Sequence, residues 1–326
     1  MLSCQGRRIP KPMQDSTERA GTTGADAAGS SALFVHFLGF VLVCLLPFIV
    51  AWDLARAVSA LVIENDSFSQ ILVIPLVSLF FINERRKNIF SAVSFGWLPG
   101  ATLIAAGLGP LVAARLDTWH LRPTNQGVLF VFGAVLVWLG AFIMFFGTRA
   151  FTSARFPLLF LLFCVPIPEP ILSYIVGFLQ EQSANAAAWF FQLAGVPYLR
   201  QDLVFRLPGV SIRVAEECSG IRSSLALLIT TVLASYLYLR TTWRKLLLCA
   251  VVVPLAILKN GLRIATLSTL AIYVNPGFLY GNLHRRGGIV FFLIALLPMA
   301  LLLAWLRKRE GLGAAPEHAR TVKQRA

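Results

Sequence analysis

The chain has 326 residues, of which 57% are hydrophobic and 13% are charged, and its formal net charge is +14 at pH 7. Soluble domains carry about 25% charged residues, so the composition excludes an ordinary soluble protein and indicates an integral membrane protein. Nucleic-acid binding, which a basic chain can suggest, is disfavoured because the basic residues form short clusters between apolar runs, as in cytoplasmic loops.

Both ends of the chain are polar. Residues 1–30 are rich in Gly, Ser, Thr and Ala from Ser16 onward, which predicts a disordered cytoplasmic leader. A cleaved signal peptide would have its apolar core nearer the start. Residues 307–326 predict a basic cytoplasmic tail without regular structure. The part between them, residues 31–306, is predicted to form one multi-span membrane domain.

Apolar runs predict an all-α integral membrane protein with about eight transmembrane helices. A helix needs about 20 apolar residues to cross a bilayer. The runs lie at 31–52, 70–82, 97–114, 127–147, 156–166, 221–239, 246–273 and 288–306. The second and fifth runs are short, so we expect these two helices to be tilted or interfacial.

The distribution of basic residues predicts the orientation of the spans. Cytoplasmic loops are enriched in Lys and Arg, and four clusters lie in alternate connections that hold almost no acid besides Glu84: Arg85 to Lys87, Arg149 with Arg155, Arg240 with Arg244 and Lys245, and Arg307 to Arg309. Both termini are therefore predicted to be cytoplasmic. The bias is imperfect, because several arginines fall on the other side, among them Arg200, Arg206, Arg213, Arg285 and Arg286.

The segment between the fifth and sixth spans is predicted to lie outside the cytoplasm. Residues 171–195 are only partly apolar and would place Gln180, Glu181 and Gln182 at mid-membrane, so we expect an amphipathic helix at the outer interface. Residues 198–215 alternate polar and apolar side chains around Pro208-Gly209, which predicts a small β-hairpin. The preceding Pro-Glu-Pro at 168–170 is interpreted as a helix break.

Cys218 is a candidate nucleophile. It lies in 214-VAEECSGIRSS-224, at the outer start of the sixth span, with the N-cap expected at Ser219 or Gly220. A helix N-terminus favours the thiolate form of a cysteine. Arg222 is four residues further on and is expected on the same helix face, whereas the two glutamates before the cysteine oppose its ionisation unless they point away.

Two cations in the seventh span are candidate functional residues. Lys259 and Arg263 are four residues apart on one helix face, with Asn260 beside them. Ionisable residues inside a span are costly and indicate function, although a lysine or arginine near a helix end also extends to the interface. Lys259 lies deeper than Arg263, so interfacial extension explains it less well.

His284 precedes the eighth span and is predicted to lie on the same side of the membrane as Cys218 and Arg263. A cysteine, a histidine base and an arginine facing a developing oxyanion provide the groups that acyl transfer needs. No paired cysteine or histidine motif predicts a metal site, and no cofactor is predicted. Cys218 has no obvious disulfide partner, which favours a free thiol.

Four blocks of this chain together resemble the exosortase/archaeosortase family of membrane transpeptidases. They are 165-VPIPEPIL-172, 215-AEECSGIRSSLAL-227, 259-KNGLRIATL-267 and 284-HRRGGIVFF-292. Their order and spacing match, and the resemblance is good over about residues 150–305. It implies that Cys218 is the nucleophile and that Arg263 and His284 are its catalytic partners. Candidates for supporting roles in the active site are Arg222, Lys259 and Asn260.

The resemblance also implies a substrate class and a location. Substrates in the family are secreted proteins with a C-terminal sorting signal of the PEP-CTERM type, which is a short motif such as Pro-Glu-Pro, a membrane helix and a basic cluster. Cleavage is expected at the outer face of the bacterial inner membrane, among membrane lipids, with the acyl group passing to an unknown surface acceptor. Such systems accompany exopolysaccharide production.

Two other functions remain open from the sequence. A polysaccharide or lipid-linked sugar transporter would use Lys259 and Arg263 to bind a phosphate head group and would not need Cys218. A membrane acyltransferase would use His284 without a cysteine nucleophile. Replacement of Cys218 and detection of a thioester distinguish these alternatives from a cysteine transpeptidase.

Overall fold

The computed structural model describes the backbone of residues 17–64, 70–91, 93–116, 121–215, 220–275, 277 and 282–311. Side chains are described over a smaller part, which leaves out residues 17–33, 61–64, 70–71 and 282–287. The chain forms two compact units, Met1–Pro166 and Ile167–Ala326.

The first unit is helical in its described parts. Its elements are α1 (Thr17–Val50), α2 (Trp52–Glu64), α3 (Gln70–Glu84), α4 (Arg86–Ile89), α5 (Trp97–Leu116), α6 (Pro123–Ser153), α7 (Arg155–Phe160) and a 3₁₀ helix (Leu161–Cys164). Helix α6 is the most buried of them. The backbone of α6 leaves helical geometry at Gly147, which is where the apolar run predicted the end of the fourth span.

Helices α5 and α6 approach each other closely. A Cβ added to Gly107 would lie 2.8 Å from the carbonyl oxygen of Gly133, so neither position has room for a side chain. Small residues at such crossings let helices in a membrane gain van der Waals contact without a hydrophobic driving force. Helix α1 packs on the same α6, where Trp138 Nε1 donates a hydrogen bond to the Cys44 carbonyl at 3.0 Å.

The leader and the tail contain more helix than the sequence predicted. Helix α1 begins at Thr17, so residues 17–30 are helical and not disordered. Extension of an existing helix costs far less than starting one, and this stretch contains several alanines, which are strong helix formers. At the other end, α11 extends to Arg309. Residues 1–16 and 312–326 lie outside the described residues, and their disorder stays a prediction.

The second unit combines four helices with a small sheet in its described parts. The helices are α8 (Glu169–Leu193), α9 (Ile221–Tyr238), α10 (Thr242–Tyr273) and α11 (Asn282–Arg309). One apolar cluster joins α8, the sheet and α10, and includes Phe191, Phe205 and Ile264. A second cluster joins α9, α10 and α11, and includes Leu227, Leu248 and Met299.

The sheet is antiparallel, with the strand order β1 (Leu199–Gln201), β2 (Val204–Leu207) and β3 (Val210–Arg213). The predicted hairpin at Pro208-Gly209 is confirmed, since β2 and β3 pair on either side of it. Strand β1 was not predicted. Its turn to β2 contains no glycine or proline. Asp202 adopts the positive φ there (51°), which aspartate tolerates better than most residues.

The structure confirms an all-α membrane protein, while the predicted number of eight spans stays a prediction. Among the described residues, five helices are long and apolar enough to cross a bilayer, or up to seven if two broken pairs each count as one span. One pair joins Phe34–Val50 to Trp52–Ala60 across an 82° bend, and the other joins Arg155–Cys164 to Glu169–Leu193. The predicted second span, α3, has only 15 residues, about 22 Å of helix against a hydrocarbon core of about 30 Å.

The predicted helix between the fifth and sixth spans is present as α8. It begins directly after Pro168, and Pro170 occupies its first turn, a position where a proline removes no helical hydrogen bond. The interpretation of 168–170 as a helix break is therefore confirmed. The placement of α8 at the outer interface stays a prediction, because α8 also qualifies as half of a broken span.

The end of α11 is fastened to the loop between α9 and α10. Glu310 accepts hydrogen bonds from the backbone N–H groups of Arg240 and Thr241, each at 3.0 Å, and pairs with Arg244 at 3.4 Å. Arg244 in turn donates to the carbonyls of Leu306 and Arg309. Arginine at this position satisfies helix-end carbonyls that have no partner within the helix.

Replacement of Glu310 by Gln should lower the stability of this helix end. Burial raises the pKa of Glu310, but the hydrogen bonds from Arg240 and Thr241 and the charge of Arg244 outweigh it, so the pKa lies below its ordinary value. The charged carboxylate therefore contributes stability above the pKa of an unfolded glutamate, about 4.3. That contribution is lost as the pH falls through the lower, folded-state pKa.

We expect Glu310→Gln to lower the free energy of unfolding at pH 7 by about 1–2 kcal/mol, because one strong acceptor is lost. Thermal unfolding of the purified protein in detergent, at pH 7 and at pH 3, measures this difference. The gap between wild type and variant should narrow at pH 3. A gap of the same size at both pH values would show that the carboxylate charge does not contribute.

Candidate active site

Helix α9 begins immediately after the segment that contains Cys218. Its first residue is Ile221 and its N-cap is Gly220, as predicted. Residues 216–219, which include Cys218, lie outside the described residues. The expected placement of Cys218 and Arg222 on one helix face does not follow, because that spacing holds only inside a helix and Cys218 precedes the N-cap. The side chain of Arg222 is exposed.

Gly220 is held against helix α10. Its φ is +72°, in the left-handed region that favours glycine. A Cβ at this position would also lie 2.9 Å from Oδ1 of Asn260. Both its backbone conformation and its contact with Asn260 therefore require glycine, which fixes where α9 starts relative to α10.

The carbonyl oxygen of Gly220 accepts several hydrogen bonds from the first turn of α9. Ser223 Oγ donates to it at 3.0 Å and Ser224 Oγ at 2.8 Å, and the backbone N–H of Ser224 donates at 2.9 Å. The turn between the cysteine segment and the helix is thus closed by two serine side chains as well as by the backbone.

Lys259 extends this arrangement from α10. Its side chain is 4% exposed, and Asn260 beside it is 1% exposed. Lys259 Nζ donates a hydrogen bond to Ser223 Oγ at 2.5 Å. A continuous chain of hydrogen bonds therefore leads from Lys259 through Ser223 to the carbonyl of Gly220, two residues from Cys218. Ser223 was not singled out from the sequence.

Arg263 lies one turn further along α10 and is half-buried. It is close enough to Lys259 for the two cations to repel each other electrostatically. Helix α10 approaches α8 at this level, because a Cβ on Gly261 would lie 2.5 Å from the Cβ of Ala186. The face of α10 opposite Lys259 and Arg263 is therefore packed tightly against α8, which fixes the position of the helix that carries these two cations.

The other end of the cysteine segment is also anchored. Val214 follows β3 and is 2% exposed. Its N–H donates to the Leu203 carbonyl at 2.9 Å, and its carbonyl accepts a hydrogen bond from Gln180 Nε2 at 3.0 Å. Residues 215–219 therefore connect two fixed points: Val214, which is bonded to the sheet and to α8, and Gly220, which packs against α10.

The structure brings some of the predicted residues together and leaves others undecided. Lys259 and Asn260 both contact the start of α9, through Ser223 and Gly220 respectively. His284 lies in the first turn of α11, but its side chain is outside the described ones. The proximity of Cys218, Arg263 and His284 stays a prediction.

Two further features bear on other kinds of site. Within the described residues, no group of three or more His, Cys, Asp or Glu is placed to hold a metal ion. The first unit contains a cavity of about 540 Å³, lined mainly by apolar side chains such as Phe48, Leu76 and Phe130, with Ser59 and Cys164 as its polar members. This lining provides no acid, base or activated nucleophile for a reaction.

Long apolar helices, one of which carries the buried Lys259 and the half-buried Arg263, define a multi-pass membrane protein. Over residues 62–301 the sequence matches the family described as transmembrane exosortase, so the chain belongs to that family. It is a membrane transpeptidase of the exosortase type. No curated protein and no solved structure matches the chain.

Proposed function

We propose that this exosortase cleaves the C-terminal sorting signals of secreted proteins by cysteine catalysis, with Cys218 as the nucleophile and Arg263 and His284 as catalytic partners. The observation that carries the proposal is that the family match includes all four blocks from residue 165 to residue 292. The substrates are proteins with a PEP-CTERM-type signal, and the system serves exopolysaccharide-linked export. The enzyme lies in the inner membrane with both termini in the cytoplasm and the active site on the outer face.

The reaction proceeds through a thioester. The Cys218 thiolate attacks the carbonyl carbon of the scissile peptide bond, and the Arg263 guanidinium stabilises the oxyanion. The C–N bond then breaks, and the leaving amine takes a proton from His284. An acceptor nucleophile then attacks the thioester carbonyl carbon and gives its proton to His284. The C–S bond breaks, which releases the Cys218 thiolate and leaves His284 protonated, as at the start. Transfer to a surface molecule and hydrolysis differ only in this acceptor.

Arg222, Lys259 and Asn260 support the site without taking part in bond changes. The hydrogen-bonded chain from Lys259 to Gly220 and the contact of Asn260 with Gly220 support this assignment. Lys259, through Ser223, and Asn260, directly, thus act on Gly220, which fixes one end of the cysteine segment. Arg222 is exposed at the start of α9, where a cation meets the acidic side of a substrate or the segment itself.

A trapped thioester tests the proposal. Purified enzyme is mixed with a secreted protein that ends in a sorting motif, one apolar helix and a basic cluster, and is quenched with acid within seconds. We expect mass spectrometry to find the N-terminal part of the substrate on the peptide that contains Cys218, and hydroxylamine to release it. Processing without any adduct on Cys218 would favour a membrane acyltransferase that uses His284. No processing, together with binding of a lipid-linked sugar, would favour a transporter.

A further inference from the structure

Strand β3 forms one edge of the sheet in the second unit. Directly beyond the paired residues of β2 and β3, the Val214 N–H donates a hydrogen bond to the Leu203 carbonyl, so Leu203 and Val214 occupy a hydrogen-bonded position of the ladder. In an antiparallel ladder, hydrogen-bonded and non-hydrogen-bonded pairs alternate. With the observed register, Ile212 and Val210 therefore point their backbone groups toward β2, whereas Ser211 and Arg213 point theirs away from it.

Within the described part of the chain, this edge presents exposed side chains and unpaired backbone groups. The side chains of Ser211 and Arg213 are exposed. Within the described part of the chain, no hydrogen bond joins their outward backbone groups to another element. Val210 and Ile212 pack against the apolar cluster beneath the sheet, so a ligand reaches β3 only from the edge and the outer face. Unpaired edge groups of this kind accept an additional strand.

The outer face of the sheet is positively charged. Arg206 lies opposite Ser211 in the register, and Arg213 is two residues further along β3, on the same face. Both arginines are exposed, and the three strands contain no aspartate or glutamate. An added strand with acidic side chains on this face would therefore meet complementary charge.

Strand β3 closely precedes the proposed nucleophile in the sequence. Arg213 is followed by the anchored Val214, and Cys218 is five residues from Arg213. Five residues span at most about 17 Å. A peptide paired along β3 therefore needs at most about five further residues to reach from Arg213 to the cysteine.

We propose that the open edge of β3 binds an extended, acidic peptide as a fourth strand of the sheet. Backbone hydrogen bonds to Ser211 and Arg213 hold the peptide. Arg206 and Arg213 select peptides with acidic side chains on the exposed face of the sheet. The inference rests on the proposed function, because it assigns the peptide to the part of a substrate that precedes its membrane helix.

Disulfide crosslinking tests the strand pairing directly. The probe is a synthetic peptide with six alternating Val and Glu residues, an apolar helix of about 20 residues and three lysines, reconstituted with the full-length protein. The protein has its own five cysteines replaced by alanine, so binding is measured without catalysis, and it bears Ser211→Cys. A single cysteine is moved through the six positions of the probe. We expect crosslinking at alternate positions, because successive side chains of a strand point to opposite faces.

Matched variants distinguish strand pairing at the β3 edge from non-specific electrostatic attraction of the acidic probe. Leu199→Cys places a thiol on the same outer face but at the opposite edge, since Leu199 pairs with Arg206 from β1, and should crosslink at least about fivefold less than Ser211→Cys. Arg213→Glu should lower the yield at Ser211→Cys by about tenfold, equivalent to about 1.4 kcal/mol. Lys308→Glu makes the same change in net charge at an exposed site on α11 and should leave the yield unchanged.

The proposal is overturned by crosslinking without a two-residue period, by equal yields from the two edges, or by an absence of crosslinks. Crosslinking of two protein copies through Ser211→Cys in preference to the probe would assign the edge to self-association instead. These crosslinking outcomes do not depend on the proposed cysteine catalysis, because the crosslinked protein lacks Cys218. Period-two crosslinking together with processing that survives loss of Cys218 would retain the strand inference and reject the cysteine mechanism.

Discussion

Replacement of Cys218 by alanine should abolish processing, with the full-length substrate accumulating in the membrane. In the proposed mechanism the Cys218 thiolate forms the new bond to the acyl carbon, and no other side chain on the segment can replace it with similar nucleophilicity. Removal of a nucleophile from a set of residues that act together lowers kcat by orders of magnitude. We expect a loss of at least about 10³-fold, measured by immunoblotting of a co-expressed secreted protein that bears a sorting signal.

Three other cysteines serve as matched controls. Cys44, Cys164 and Cys249 are free thiols within the described residues, and all three lie in helical segments of apolar sequence. Alanine at each of these positions should leave processing within about twofold of wild type, as expected for substitutions remote from the reacting atoms. Normal processing in Cys218→Ala would reject the cysteine mechanism, whichever residues then prove to be essential.

Replacement of Lys259 by methionine should lower kcat/KM for processing by about 10- to 100-fold. The substitution nearly preserves side-chain volume but removes the hydrogen bond to Ser223 Oγ. A hydrogen bond to a charged group contributes about 1.5–3 kcal/mol, and each 1.36 kcal/mol corresponds to about tenfold in rate. The loss reaches the reaction because Ser223 in turn holds the carbonyl of Gly220.

The chain offers close controls for this variant. Lys245→Met makes the same substitution near the other end of α10, where Lys245 lies over the ring of Tyr236, and should change kcat/KM by less than about threefold. Among the described residues, the hydroxyl of the buried Ser268 bonds only to Ile264 of the same helix α10, so Ser268→Ala provides the comparison for Ser223→Ala.

A double-mutant cycle between Lys259→Met and Ser223→Ala distinguishes a shared role from two separate ones. Groups in one hydrogen-bond network show interaction energies of about 0.5–3 kcal/mol. The kcat/KM of the double variant should therefore be no lower than that of the less active single variant. Strictly additive losses would mean that Lys259 acts on the reaction by another route. The thermal unfolding temperature of each variant reports whether a loss comes from misfolding.

The sequence predicted the parts of the fold that depend on long apolar runs and on strong turn signals. The main helices of the second unit, the N-cap at Gly220 and the hairpin at Pro208-Gly209 are examples. Each follows from local chemistry: enough apolar residues for a bilayer, or a backbone conformation that glycine favours. The predicted disorder of residues 17–30 was wrong, because propagation of the helix from the apolar part of α1 outweighed their polar composition.

The site was predictable only in part for a different reason. Lys259 and Asn260 could be singled out because polar groups within an apolar run are conspicuous; the structure places both against the start of α9, and their functional role stays a prediction. Ser223 gave no such signal, because a serine in a first helical turn usually satisfies its own backbone. Its importance comes from a contact 36 residues away in the chain, which no local pattern encodes. The anchoring of Val214 by Gln180 is likewise a tertiary contact.

The two anchors at Val214 and Gly220 have a consequence for how a substrate gains access. Cys218 is two residues from Gly220, and two residues reach about 7 Å at most. A swing of the cysteine segment alone therefore cannot carry the thiol away from the mouth of α9. Any larger opening must shift Gly220 itself, which lies against Asn260. In the proposed mechanism, the position of the nucleophile is therefore set by how α9 crosses α10, through the contact of Gly220 with Asn260.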